Sequence, residues 1–430
     1  SAVLLASVHT EFIDAQTAGK DPKIIQDFKI LLQRHESELR ESTNETLHLM
    51  RSDPSSFDEW VTNSQPFHWF IEFPNVFING GFDVVVGNPP YIRKKNVDYK
   101  YYGYETNNSR DIYAPCMERA MSLMRGDGKY SMIVPISFQF SEEYEKVRQY
   151  IAGEVSNLWI STFSRNPSAL FPPAVGVRSS IVVGSRGGSA TVRTTRLYRW
   201  WEGMQQHLFD LIEYAELKTA NSGTAYSRPG PSLNPLFESL TATRSCVGAS
   251  TRKSGPALGF KSIALYYLSV YVEEPPSWTL DGTRIPQTAV GELRFEDDEH
   301  RDVAMVLLAG RFAAWWWSAV GDDFNVTGWV LEDFPVGLSE LNDCWEELLL
   351  ISKELQIEQQ NHPLVTKYAK KEMGNYDMSK CRHITDRSDQ LVLKALGHEK
   401  FWPALLLADA QFVKPTGERP GTRREWPFPL

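Results

Sequence analysis

Cysteine is scarce in this chain of 430 residues: Cys116, Cys246, Cys344 and Cys381 are scattered, and no two stand in C-x-x-C spacing. That pattern excludes a disulfide framework and a structural zinc site, and it fits a reducing, cytoplasmic setting. Long apolar runs are missing as well. None reaches the ~18–20 residues that a bilayer-spanning helix needs, so no membrane partner is expected. The N-terminus lacks a basic stretch followed by an apolar one, so no secretory leader is expected. The nine histidines show no H-E-x-x-H or related ligand spacing, and no catalytic metal is expected. There is no internal repeat and no low-complexity tract.

An excess of positive charge is also lacking: 45 Lys and Arg face 54 Asp and Glu, a formal net charge of −9. Nucleic-acid footprints are usually basic, but net charge constrains local fields poorly. Basic residues do cluster at Arg93-Lys94-Lys95, at Arg252-Lys253 with Lys261, and at Lys414, Arg419, Arg423 and Arg424. An ordinary solvated surface accounts for the last two groups. Arg93, Lys94 and Lys95 adjoin the motif described next and are candidates for phosphate contact.

What is present is a globular composition, 42% hydrophobic and 23% charged, long enough for two or three domains. Residues 22–52 have helical spacing, with Ile25, Phe28, Leu31 and Leu32 on one face. Residues 55–80 are aromatic-rich and read as irregular. Phe82–Gly87 reads as a buried strand, Lys129–Pro135, Leu158–Phe163 and Ser179–Val183 as further strands. Helices are expected over 111–125, with Asp111 as N-cap and Gly126 as stop, and over Ser141–Ile151. This alternation implies a mostly parallel α/β sheet with its site at the carboxyl ends of the strands. Beyond 200 the alternation fades. Pro, Gly, Ser and Thr cluster at 218–234 and 248–258, and Ala264–Tyr271 is strand-like in composition. Residues 297–320, 338–360 and 387–397 look helical. Trp315-Trp316-Trp317 reads as part of a buried helix rather than a stacking platform.

The most informative stretch is Gly87-Asn88-Pro89-Pro90-Tyr91, directly after Phe82-Asp83-Val84-Val85-Val86. Proline removes a backbone donor and fixes φ, and it biases the preceding residue towards extended geometry. Asn88 and Pro89 can then present a side-chain and a main-chain carbonyl oxygen in one direction. An exocyclic amine carries two N–H donors, which two convergent acceptors suit. Tyr91 supplies a face for stacking a flat ring.

Around this core stand Phe67-His68-Trp69-Phe70-Ile71-Glu72-Phe73-Pro74, Gly80-Gly81-Phe82-Asp83, Asp111-Ile112-Tyr113, Glu118-Arg119-Ala120, Gly126-Asp127-Gly128-Lys129 and Ser131-Met132-Ile133-Val134-Pro135. The ordered set resembles the DNA adenine-N6 methyltransferases of large restriction-modification and phage-defence systems. It is motif-dense from about Phe67 to Val183 and looser from Phe260 to Leu396. The resemblance implies a partial class I, Rossmann-like methyltransferase sheet, followed by a mixed α+β target-recognition region and a helical tail. It divides the chain into a helical lead-in (1–66), a catalytic portion (67–200), a target-recognition region (201–340) and a helical C-terminal region (341–430).

It further implies S-adenosylmethionine as methyl donor and double-stranded DNA as partner, with an adenine flipped out of the stack into a pocket made by Asn88, Pro89, Pro90 and Tyr91. Phe171, in Leu170-Phe171-Pro172-Pro173-Ala174-Val175, is the candidate for the second stacking face, with Phe163 in reserve; a core position is the alternative for Phe171. Asp83 is read as structural. The family's glycine-rich donor turn and ribose-binding acid precede the N-P-P-Y motif, and neither is found in residues 1–80. Gly184-Ser185-Arg186-Gly187-Gly188 follows the wrong strand and reads as a hairpin or loop. A nuclease signature is also not found. The chain is therefore expected to be the carboxyl-terminal portion of a larger enzyme, half of a split enzyme whose partner carries the donor loop, or a non-catalytic DNA-binding or specificity subunit. Glutamine in a protein and adenine in RNA are alternative acceptors for an N-P-P-Y pocket; the long region after 200 argues against the compact glutamine-modifying enzymes.

Overall fold

A computed structural model describes residues 2–51, 55–97, 101, 103–171, 176–218, 225–243, 245–412, 422–425 and 427. The chain divides into two compact units. One comprises Ser1–Val86, Arg119–Tyr130 and Ser185–Gly187; the other comprises Gly87–Glu118, Ser131–Gly184 and Gly188–Leu430.

In the first unit, α1 (Ala2–Thr17) packs against the long α2 (Pro22–Arg51), burying Leu5, Val8 and Leu32 with Ile71. The aromatic stretch after it is not irregular. It forms three short helices, α3 (Phe57–Ser64), α4 (Trp69–Glu72) and α5 (Pro74–Ile78). A capping box starts α3: Glu59 N–H donates to Ser56 Oγ at 3.3 Å and Ser56 N–H to Glu59 Oε2 at 3.1 Å. His68, just before α4, is buried against Asn44 Oδ1 at 2.7 Å and ties that turn to α2. The rings of Trp69, Phe73 and Phe77 then meet Phe82 edge-on at centroid distances of 5.7, 5.4 and 5.7 Å. Local helical capping and this ring cluster explain why an aromatic-rich sequence with no long period folds into short turns around the first residue of β1.

β1 (Phe82–Gly87) follows Gly81, whose φ of 118° only glycine adopts readily and whose Cβ would lie 2.6 Å from Leu123 O. β1 belongs to a six-stranded sheet of order β1-β2-β4-β3-β5-β6, with β2 (Met124–Pro135), β3 (Asn157–Phe163), β4 (Ser179–Ser185), β5 (Thr191–Tyr198) and β6 (Ala215–Glu216). The sheet is mixed: β3 runs parallel to β5, and β5 antiparallel to β6. β1 is an edge strand, not the buried one expected: it has a strand on one side only, and the face that carries Val84 and Val86 is uncovered, leaving them 56% and 72% exposed. β2 begins at Met124, earlier than expected, so Gly126 does not stop a helix but lies within the strand. α6 spans only Tyr113–Ser122, and Arg125 pairs with Asp83 and Asp127, each at 2.5 Å, beside the glycines. Of the glycine-rich 184–188 stretch, Gly184 and Ser185 end β4 and the rest begins the connection to β5, with Gly187 and Gly188 at φ 85° and 88°.

In the second unit, α7 (Glu145–Glu154) leads into β3, and α8 (Asn234–Thr243) opens the region beyond the sheet. A three-stranded sheet joins β7 (Ala257–Lys261), β8 (Val270–Tyr271) and β11 (Val290–Arg294) in the order β11-β7-β8. A five-stranded sheet joins β9 (Ser277–Thr279), β10 (Arg284–Ile285), β12 (Pro363–Lys367), β13 (Lys371–Tyr376) and β14 (Thr422–Arg423) in the order β10-β9-β13-β12-β14. Of the strand-like Ala264–Tyr271, only its last two residues are strand. α9 (Asp298–Ala309) and α10 (Arg311–Val320) break at Gly310 and bend by 69°. α11 (Gly328–Glu332), α12 (Trp345–Asn361), α13 (Arg382–Ala395) and α14 (Trp402–Ala410) pack around them, so the expected helical tail also holds β12 and β13. The three tryptophans of α10 are core: Trp315, Trp316 and Trp317 are buried, and their indole N–H groups donate to Pro229 O, Val330 O and Asn325 O at 3.0, 3.1 and 3.0 Å. Among the described residues no single helix is long and apolar enough to cross a membrane.

Candidate nucleic-acid modification site

The chain leaves β1 at Gly87 and turns through Asn88, which is exposed, Pro89, which is buried, and Pro90, which is exposed. The Asn88 side chain has no hydrogen-bond partner among the described residues. Both its amide groups are therefore free for a ligand. Tyr91 is half-buried, and its hydroxyl donates to Ile133 O in β2 at 2.9 Å. Burial pushes the Tyr91 hydroxyl up to about 12, so it keeps its proton and stays a donor around neutral pH. The ring meets Tyr113 edge-on at 6.4 Å and 82°, and Tyr113 stacks on Tyr144 at 5.0 Å and 30°. A tethered hydroxyl and an edge-on neighbour fix one ring orientation, which is what a stacking platform requires.

The D-I-Y motif holds this platform from behind. Residues 92–94 pair with 110–112: Arg93 bridges Asp111 antiparallel, Lys94 N–H donates to Arg110 O at 2.9 Å and Ile112 N–H to Ile92 O at 2.9 Å. The Asp111 carboxylate accepts the hydroxyl of Tyr144. It is thus a brace for the Tyr113–Tyr144 stack, not the expected cap of α6. Glu118, one helical face further on, is buried and accepts Glu105 N–H and Thr106 N–H at 3.1 and 2.9 Å. That carboxylate satisfies the free donors of the short turn 105–108.

The basic triplet behaves unevenly. Lys94 Nζ is committed to Asn107 O and Oδ1 at 2.8 and 3.0 Å, while Lys95 is exposed. Phe171 is 43% exposed, so it is not a core residue. Residues 172–175 after it lie outside the described residues. Phe163 is fully buried in a cluster with Leu170, Tyr198, Trp200 and Leu208, which removes it as a stacking candidate. Among the other basic groups, Lys261 is buried, donating to Gln287 Oε1 at 2.6 Å and Gly374 O at 3.1 Å, and burial brings its ammonium down to about 8. It is a structural lysine and not a surface one. Lys414 and Arg419 lie outside the described residues.

The surroundings match a known family. The model of the Eco57I restriction-modification methylase family matches residues 19–168. Residues 19–168 are thus similar to a restriction-modification methylase domain. An 86-residue stretch is 30% identical to a type II restriction enzyme and methyltransferase of Methanocaldococcus jannaschii, covering 20% of this chain and 7% of that protein. The chain therefore spans a small part of the curated relative it matches. Among solved structures, the type ISP restriction-modification enzyme LlaBIII bound to DNA is similar over 84% of this chain and 39% of its own, at 9% identity and a TM-score of 0.34. The type IIG restriction endonuclease BpuSI is similar over 73% and 54%, at 11% and 0.28. The M protein of the type I enzyme EcoKI is similar over 64% and 50%, at 11% and 0.24.

Several residues at the strand ends carry weight that their local sequence does not signal. Gln139, fully buried, donates to Thr162 Oγ1 and Ser180 Oγ at 2.6 and 2.7 Å and accepts from Arg228 at 3.1 Å. It thereby joins the ends of β2, β3 and β4. Arg165, Arg178 and Arg199 stand at the ends of β3, β4 and β5; only the sheet brings them together. A donor cradle is not among what the described residues provide: no glycine-rich turn follows a strand at the carboxyl end beside β1.

Proposed function

We propose that this chain supplies the acceptor side of a DNA adenine-N6 methyltransferase in a restriction-modification or phage-defence system. What carries the reading is Asn88: an exposed, unpartnered amide at the end of β1, next to a tyrosine ring whose orientation is fixed from two sides. Asn88 Oδ1 and the Pro89 carbonyl would accept the two N–H groups of an adenine flipped out of duplex DNA. The amino lone pair is otherwise delocalised into the ring. Holding both hydrogens favours the more tetrahedral and more nucleophilic form, and catalysis is positioning with electrostatic support. Tyr91 would stack on one face of the base and Phe171 on the other. The sheet that presents these groups is read as the Rossmann-like sheet of a class I methyltransferase, with target recognition over about 201–340.

The donor-binding part would come from a partner chain or another segment of a longer polypeptide. The exposed edge of β1, with Val84 and Val86 turned to solvent, supports that reading. Such an edge presents unpaired backbone groups for an added strand, and covering a valine stabilises by about 1.5–3 kcal/mol. With the donor part present, Asn88→Ala should lower methyl incorporation into duplex DNA at least a hundredfold and leave DNA affinity within about twofold. Unchanged incorporation would exclude Asn88 from catalysis. A specificity subunit without catalysis is the second reading, favoured by the missing cradle; calorimetry on the isolated chain should then give no S-adenosylmethionine binding, and tight binding would overturn both the account of the missing cradle and the need for a partner.

A further inference from the structure

The carboxyl ends of β3 and β5 and the start of β4 bring three arginines to one place. Arg165 follows β3 after Ser164, Arg178 immediately precedes β4, and Arg199 immediately follows β5. Two carboxylates face them, Asp322 and Asp323, and both also face the buried Arg228, so the positive charges outnumber the negative ones. Its charges are not equally spent. Asp323 is fully buried and is taken by Arg199 and by the Ser164 hydroxyl. Arg178 has only distant carboxylates, Asp322 Oδ2 at 3.9 Å and Asp323 Oδ2 at 4.0 Å, and its Nε is buried without a hydrogen-bond partner among the described residues. Arg165 uses one donor, on Gly176 O at 3.1 Å. Both guanidinium groups lie against Phe324, at 5.0 Å for Arg165 and 5.1 Å for Arg178 from the ring centroid.

A guanidinium that rests on an aromatic ring keeps its donor edge free and its plane fixed, the arrangement that suits bidentate capture of a phosphate. The site is also tied to the base platform. Ile136 N–H donates to Arg178 O at 2.9 Å, and Ile136 follows β2 three residues after Ile133, whose carbonyl holds Tyr91. At about 3.3 Å per extended residue, the two anchor points, Ile133 near the end of β2 and Ile136 just beyond it, are about 10 Å apart. By contrast, Lys94 of the triplet beside the motif is already spent on Asn107.

We infer that Arg165 and Arg178, held on Phe324, form a phosphodiester site that grips the DNA backbone next to the flipped nucleotide. The inference rests on DNA being the substrate. It is tested by fluorescence anisotropy of the full chain on a labelled DNA duplex across a potassium chloride series. Arg165→Gln, whose side chain is partly exposed, should weaken binding about tenfold at moderate salt and reduce the slope of log K against log salt by about one. Asp322→Asn keeps an oxygen for its own turn while removing an opposing charge, and should tighten binding. Opposite shifts in the two variants are not produced by structural damage, and Asp322→Asn decides the matter if Arg165→Gln fails to fold. Unchanged affinity and slope in both variants would overturn the site while leaving DNA as substrate. A wild-type chain that binds no duplex would overturn the DNA reading and the site with it.

Discussion

Tyr91 shows how the setting of a side chain stays hidden in its sequence. Its place in N-P-P-Y leads to the expectation of a stacking ring, because that reading is local. The partners that fix it are not: Ile133 and Tyr113 are brought in by β2 and by the 92–94/110–112 pairing. Tyr91→Phe keeps the face and loses the tether, worth ~0.5–1.5 kcal/mol. Its methyl incorporation in the complete system should fall a few-fold, against a far larger loss for Tyr91→Ala; equal losses in the two variants would mean that the ring face is not what matters. The same distance problem hid Asp111. Beside a helical pattern an aspartate reads as a cap, but Tyr144, whose hydroxyl it accepts, lies 33 positions away. Arg165, Arg178 and Arg199 carried no signal because nothing in the chain announces which strand ends will be neighbours.

Among the elements, those with a local cause were legible and those made by pairing were not. α2, β3, β4 and the α9–α10 stretch follow from apolar spacing and capping. β5, α1 and the β12–β13 hairpin were missed; β5 is polar and alternates with Thr and Arg, and its pairing with β3 is what makes it a strand. The break at Gly310 has a tertiary cause. Asp389, buried in α13, accepts Arg311 N–H and Phe312 N–H at 2.7 and 3.3 Å, so it caps α10 from another helix. A Cβ at residue 310 would lie 2.1 Å from Asp389 Oδ1. Gly310→Ala should therefore cost ~1–3 kcal/mol by overpacking, read as a lower urea midpoint. Burial also raises the Asp389 carboxyl to about 7, above the ordinary range near 3.8. The folded state then holds a proton that the unfolded chain releases between about pH 4 and 7. This contribution to stability is full below pH 4 and is lost as pH rises through 7, with a slope of up to ~1.4 kcal/mol per pH unit. Asp389→Asn keeps an acceptor oxygen and should flatten that slope in chemical denaturation between pH 4.5 and 7; an unchanged slope would place the proton elsewhere.

For the molecule as a whole, the sequence indicated an α/β protein with a mostly parallel sheet and its motif at a strand end; the sheet is mixed, and β1, taken for a buried strand, is at its edge. Valine-rich composition cannot distinguish an interior strand from an edge awaiting a neighbour, since both need the same side chains. Val86→Lys separates the two. The isolated chain should keep its stability to within ~0.5 kcal/mol, because Val86 is solvent-facing. Complementation by a donor-bearing partner should be lost, measured as methyl incorporation after mixing; retained complementation would move the partner's seat away from this edge. The 92–94/110–112 pairing has a different consequence. It closes the segment between its two sides into a handle, which Glu118 ties to α6 through the N–H groups of Glu105 and Thr106. Doubling the handle's length would cost only ~0.6 kcal/mol of closure entropy. Added length beyond the 105–108 turn would therefore be tolerated by the fold so long as the two bonds to Glu118 are kept.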